Sequence, residues 1–176
     1  MPRFRSHGIA AFTLLELLTV IVIIGILTTM VFGLVADMQY RADRANCVGN
    51  LKSLYTGAAV YLQQQGQWPQ IDPHLMGGKG TGYAQQWIAA LEPCGVAKPN
   101  WICPSIQRLM HNPDLTKQEN LRVDYVATPF DTKPMTPYLW AKQPWFVEVG
   151  SVHGGGNLLI WSNGQIVSLK EALSYK

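Results

Sequence analysis

Hydropathy divides the chain near residue 36. Residues 12–36 are an almost unbroken run of Leu, Ile, Val, Thr, Met, Phe, Gly and Ala, and Glu16 is the only formal charge between His7 and Asp37. As a helix these 25 residues would rise about 37 Å, more than the ~30 Å of a bilayer's hydrocarbon core. A membrane-spanning helix is the expectation. Beyond Ala36 the pattern becomes amphipathic: Val48, Leu51, Leu54, Tyr55, Ala58, Tyr61 and Leu62 recur at spacings of three and four, with polar residues largely elsewhere. No proline interrupts residues 12–65, while Gly66 and Pro69 supply a stop. The pattern predicts one helix of about 80 Å, apolar over residues 12–36 and amphipathic over 37–66.

Residues 67–176 read as a separate globular, β-rich domain. Residues 70–82, rich in Gly and Pro, predict a loop, and 83–91 a short helix burying Trp87, Ile88 and Leu91. Residues 93–104 read as irregular. Alternation in Leu121-Arg-Val-Asp-Tyr-Val predicts a strand over 121–128, and 145–149 predicts another, separated by a proline-rich loop over 129–144. The clearest hairpin joins residues 157–161 to 165–169 through Ser162-Asn163-Gly164, because Asn-Gly suits a tight turn. A long helix packed on a small antiparallel sheet, an α+β architecture, follows.

Composition alters this picture only slightly. The net charge of +3 comes without a dense Lys/Arg stripe, so nucleic acid is not expected as the main partner. Arg3 and Arg5 precede the apolar run, and the positive-inside tendency places residues 1–11 in the cytoplasm and the remainder outside. The run is too long for a secretory signal peptide, and Cys47 lies too far along for a lipoprotein signal. Three cysteines, Cys47, Cys94 and Cys103, allow one bridge with one thiol left over in an exported domain. Cys94/Cys103 would close a short loop; Cys47/Cys103 also fits, and spacing does not choose.

Glu16 asks for a reason, since a carboxylate costs several kcal/mol at bilayer depth unless paired or near the interface. The residues Ala11-Phe12-Thr13-Leu14-Leu15-Glu16 resemble the prepilin signature of type IV pilins and type II secretion pseudopilins. The resemblance implies that a prepilin peptidase removes residues 1–11 by cutting between Ala11 and Phe12, then methylates the Phe12 amine. Ala11 departs from the family's usual Gly. The new α-amine is cationic, with a reference pKa near 8, so Glu16 of one subunit can pair with Phe12 of a neighbour and fix axial register. The segment from Gly25-Ile26-Leu27 through Ala42-Asp43-Arg44 to Trp68-Pro69 is similar to the major pseudopilin. Gly33 stands where that group often carries proline, which leaves either local helix melting or close helix packing open. His153-Gly-Gly-Gly-Asn157, followed by Leu-Leu-Ile-Trp-Ser-Asn-Gly, resembles the C-terminal motif of a pilin-like group common in Planctomycetes and Verrucomicrobia, with Asn163 in place of the group's Asp.

The resemblance implies a pilin fold. It also implies a structural subunit of a type II secretion pseudopilus, polymerised through its N-terminal helix with identical or related subunits by an inner-membrane assembly platform. The protein would be single-pass in the inner membrane, with its C-terminal domain periplasmic, and then part of a periplasmic or surface filament. A type IV pilin for adhesion, motility or DNA uptake, and a membrane-anchored periplasmic binding module that never polymerises, are the alternatives. No enzyme is expected: the glycines after His153 lack a Walker lysine and a following helix, and no nucleophile constellation is apparent. No cofactor is expected either. Cys94/Cys103 lacks Cys-x-x-Cys spacing and no His pair has metal-ligand spacing, so no zinc site is expected. Some pseudopilins bind calcium in a C-terminal loop; Asp124, Asp131 and Glu148 are scattered along this sequence, which leaves calcium as the less favoured alternative to no cofactor.

Overall fold

A computed structural model describes residues 13–77, 82–111, 113–114, 117 and 121–174, excluding the side chains at 31–34, 36 and 77. It is an α+β structure. The first helix, α1, is Leu14–Gln65. The contacts divide the chain into two compact units, Met1–Gln39 and Tyr40–Lys176, whose boundary falls inside α1.

In the first unit, Thr13 and Glu16 form a reciprocal cap at the start of α1. The Glu16 N–H donates to Thr13 Oγ1 at 3.2 Å, and the Thr13 N–H donates to Glu16 Oε2 at 3.0 Å. This satisfies donors that the helix leaves without an internal acceptor. Thr28 and Thr29 return their hydroxyls to backbone carbonyls one turn back, at 2.8 and 2.7 Å to Ile24 and Ile26. Every residue from 13 to 30 is nevertheless exposed, including Ile21, Ile24 and Leu27. Among the described residues no helix is long and apolar enough to cross a membrane. The run expected to do so also takes in 12, 31–34 and 36, which lie outside the described side chains, as do Ala11 and Phe12. A single-pass inner-membrane anchor therefore has no support from the structure itself.

The second unit is built on the amphipathic part of α1. Cys47, Leu51, Leu54, Ala58 and Leu62, at helical spacing, are buried. Gly66, at φ 68°, turns the chain out of the helix. Then follow α2 (Gly82–Leu91), 3-10 turns at Glu92–Cys94 and Lys98–Trp101, and α3 (Pro104–Leu109). The strands are β1 (Tyr125–Ala127), β2 (Phe146–Glu148), β3 (Leu158–Ile160) and β4 (Ile166–Ser168). They form one antiparallel sheet in the order β1-β2-β3-β4. The helix α4 (Thr136–Leu139) sits within the loop expected over 129–144, and α5 (Leu169–Ser174) follows β4.

Two expectations needed trimming. The first strand begins at Tyr125 rather than 121, because Asp124 directs its N–H to the Trp101 carbonyl at 2.8 Å and its side chain to Arg122. Residues 93–104 are less irregular than expected, with two 3-10 turns. The terminal hairpin forms as the Asn-Gly pair requires, Gly164 taking φ 77°.

Alternation fixes the inward face of the sheet. In β1 and β2 the outer residues of each triplet, Tyr125 and Ala127, Phe146 and Glu148, are buried while the middle one is only half-buried. Trp68, Trp87, Trp101 and Trp145 join the strand residues in the core.

At Gly57 of α1 the helix approaches Val96 so closely that an added Cβ would overlap Val96 Cγ2. Gly57→Ala is therefore expected to destabilise by about 1–3 kcal/mol through overpacking, less the ~1 kcal/mol that Ala gains over Gly as a helix former. Guanidinium unfolding checks this: the midpoint should fall, and Val96→Ala in the same chain should restore it. A midpoint raised by the full ~1 kcal/mol helix-forming gain of Ala would rule out the close approach.

A buried thiol, imidazole and carboxylate cluster

The only groups of mixed donor chemistry to converge among the described residues are Cys47, Cys103, Glu148 and His153. One ligand-capable atom from each lies within 4.8 Å of all the others, and all four residues are buried. Four separate stretches of chain bring them there, and each does so for a local reason.

Cys47 lies on the buried stripe of α1, four residues before Leu51. Cys103 is the residue before α3, where Pro104 occupies the first helical position and needs no N–H partner. The Cys103 N–H donates to Asp124 Oδ2 at 2.9 Å, and Arg122 pairs with Asp124 at 2.8 Å, so the segment is fastened to the start of β1. Glu148 points inward because it shares the face of Phe146, two residues earlier on β2. Its Oε2 accepts the Leu158 N–H at 3.3 Å, and Asn157 Nδ2 donates to its backbone carbonyl at 2.7 Å. His153 sits in the loop between β2 and β3. Gly154 directly after it has φ 68°, a conformation that side-chain-bearing residues rarely adopt, and a Cβ there would lie 2.9 Å from Tyr40 Oη.

His153 Nε2 lies 3.1 Å from Glu148 Oε1 and 3.7 Å from Cys103 Sγ. The two sulfurs, Cys47 Sγ and Cys103 Sγ, are 2.8 Å apart. His153 Nδ1 is buried with no hydrogen-bond partner among the described residues. The Cys47 side chain, then burial, then Glu148 raise the Cys103 thiol above its ordinary pKa. Burial, followed by Cys47, pushes the neighbouring Tyr125 phenol upward. With a carboxylate already in the pocket, a further anion is costly unless a cation joins it.

No family model matches the chain, and no curated protein or solved structure is detectably similar to it. The cluster therefore has to be understood from its own geometry.

The residues singled out from the sequence are distributed differently. Glu16 is exposed and engaged with Thr13. Cys94 is half-buried, 3.9 Å from Gln64 Oε1, and so is not beside Cys103. Cys103 neighbours Cys47, 56 residues away in sequence, because the helical stripe carries Cys47 into the core. Asp124 is taken up by Arg122, Asp131 is exposed with its Oδ1 accepting the Lys133 N–H, and Glu148 lies in the cluster. Sequence spacing gave no sign that Cys47, Glu148 and His153 meet. The usable signals were a cysteine in phase with the helix stripe and a glutamate in phase with Phe146.

Proposed function

We propose that the chain is a pilin-like filament subunit, a structural protein of a type II secretion pseudopilus rather than an enzyme, anchored in the inner membrane by residues 12–36 and processed between Ala11 and Phe12. The observation that carries this reading is the junction itself: a small residue, a Phe, and a lone Glu four positions on in an otherwise uncharged apolar run. Two features of the fold support it. The helix α1 starts at Leu14, just past the junction, and its described apolar side chains up to residue 30 are exposed. So much unpartnered apolar surface suits packing against the helices of neighbouring subunits. The second unit is an α1 segment packed with a four-stranded antiparallel sheet, an arrangement suited to a helix-borne subunit.

Glu16 has two separable roles. Within one chain it completes the cap with Thr13; between chains its charge would meet the methylated Phe12 amine of a neighbour. Gln retains the cap, because its amide oxygen can accept the same N–H, but removes the charge. Glu16→Gln and Glu16→Ala are both expected to insert into the membrane normally and to lose most filament incorporation, as measured by sedimentation of sheared filaments. Normal assembly of Glu16→Gln would overturn the charge-pairing account. Mass spectrometry of the mature N-terminus tests processing: a chain beginning with methylated Phe12 is expected, and an intact Met1 would sink the filament reading. Membrane insertion with neither processing nor assembly would instead indicate a non-polymerising anchored module.

A further inference from the structure

We propose that Cys47, Cys103, Glu148 and His153 form a structural binding site for a zinc-class divalent transition metal, which ties α1, the segment before α3, β2 and the β2–β3 loop together. The site does not depend on the filament reading.

Donor type comes first. Two sulfurs, an imidazole nitrogen and a carboxylate oxygen make a borderline-soft, four-ligand set that favours zinc over calcium or magnesium, which take oxygen ligands. Completeness comes next. Four protein donors fill a tetrahedral shell and all are buried, so no position is left for substrate, which is the pattern of a structural rather than a catalytic centre.

Two donor–donor edges already come near the tetrahedral spacing, and a third is short. Metal–ligand bonds of about 2.0–2.3 Å in a tetrahedron put neighbouring donors roughly 3.3–3.8 Å apart. The pairs His153 Nε2–Glu148 Oε1 at 3.1 Å and His153 Nε2–Cys103 Sγ at 3.7 Å lie close to that range. The Sγ–Sγ edge at 2.8 Å is short, and seating the ion would spread the thiols by about 1 Å relative to that tetrahedral edge. The donors are also held from behind. Leu158 N–H fixes the far oxygen of Glu148, leaving Oε1 directed at the cluster, and Asp124 holds the Cys103 backbone. Such supports orient ligands in metal centres.

Charge gives the remaining argument. Glu148 is buried, and its side-chain partners among the described residues are His153 Nε2, the Cys103 thiol and a backbone N–H, not a Lys or Arg. On binding, each thiol releases its proton to solvent and its sulfur donates a pair to the metal. The dication then meets two thiolates and one carboxylate with a neutral imidazole, so it supplies the cation that buried Glu148 otherwise lacks and leaves the site with one net negative charge. Because protons compete for the ligands, affinity should weaken as pH falls.

The test uses the full chain, purified in detergent under reducing conditions and titrated with zinc and with Co(II). The expected result is one metal per chain by elemental analysis and the d–d absorption of tetrahedral, thiolate-bound Co(II). In mild denaturant, Cys47 and Cys103 should be alkylated more slowly with metal bound than after chelation, while Cys94 reacts throughout. Cys47→Ser and His153→Gln should each weaken binding by more than the roughly 10–100-fold that loss of a supporting partner costs, and Cys94→Ser should leave it intact. Chelation and re-addition on the parent chain keep the test decisive even if a variant misfolds. Reduced chain that takes up no Co(II) would overturn the site. So would a Cys47–Cys103 disulfide that binds no metal once reduced, or stoichiometric binding that survives both ligand substitutions.

Discussion

Trp68→Ala should be the most damaging single core substitution, lowering the stability of the Tyr40–Lys176 unit by about 3–5 kcal/mol. Trp68 is fully buried, and its ring centroid lies 5.1 Å from both Phe130 and Trp145 and 6.0 Å from Phe146. Those rings come from β2, the residue before it and the loop after β1, whereas Trp68 itself leaves the end of α1 just after Gly66. Truncation therefore opens a cavity where helix and sheet meet, and rigid ring neighbours collapse poorly into such a space. A loss of this size is about a fifth or more of the total stability of a typical domain. Trp68→Phe should be much milder. It keeps a ring in the same contacts and removes a buried indole N–H that has no partner among the described residues. Guanidinium unfolding followed by near-ultraviolet circular dichroism would check both. Equal losses for Ala and Phe would mean that the aromatic contacts are not the source of the stability.

The second large effect concerns Glu148 and His153, and it is expected even with every metal ion chelated. Both side chains are fully buried, with Nε2 and Oε1 3.1 Å apart. Removing the imidazole in His153→Leu leaves the carboxylate among two thiols without its partner, and breaking a buried pair in this way costs about 3–5 kcal/mol. If the cost comes from the stranded charge, neutralising it should recover much of the loss. Glu148→Gln in the His153→Leu chain is therefore expected to be more stable than His153→Leu alone. Unfolding midpoints of the parent, both single variants and the double, all in excess chelator, complete the cycle. A coupling energy of up to about 3 kcal/mol is expected for groups in contact. Simple additivity would show that the two side chains do not act as a pair.

How much of this could be read before the fold was known follows from which interactions are local. The long helix was legible because its stripe, Leu51, Leu54, Ala58 and Leu62, is a property of spacing within one element. The β3–β4 hairpin was legible because Asn163-Gly164 sets its own turn. The extent of β1 was not: whether residues 121–124 pair as strand depends on Trp101 and Arg122, which lie elsewhere or act through side chains. The cluster was hidden for the same reason. Cys47 and Cys103 are far apart in sequence, and neither has the short spacing that betrays a metal or disulfide motif. Glu148 is an acidic residue at an inward strand position, and reading it as scattered overlooked its phase with Phe146. The glycines after His153, read as a turn, do turn the chain, and they also place the imidazole in the core.

The short strands have a consequence for life at high local concentration. A sheet order of β1-β2-β3-β4 leaves β1 and β4 as its margins, and each is only three residues long. Margins that brief give a foreign strand little backbone to zip onto, and β4 runs at once into α5, whose start is closed by Ser168 and Glu171 bonding reciprocally. Copies crowded together are thereby discouraged from sticking sheet to sheet. Recognition between them is left to surfaces other than the strand margins.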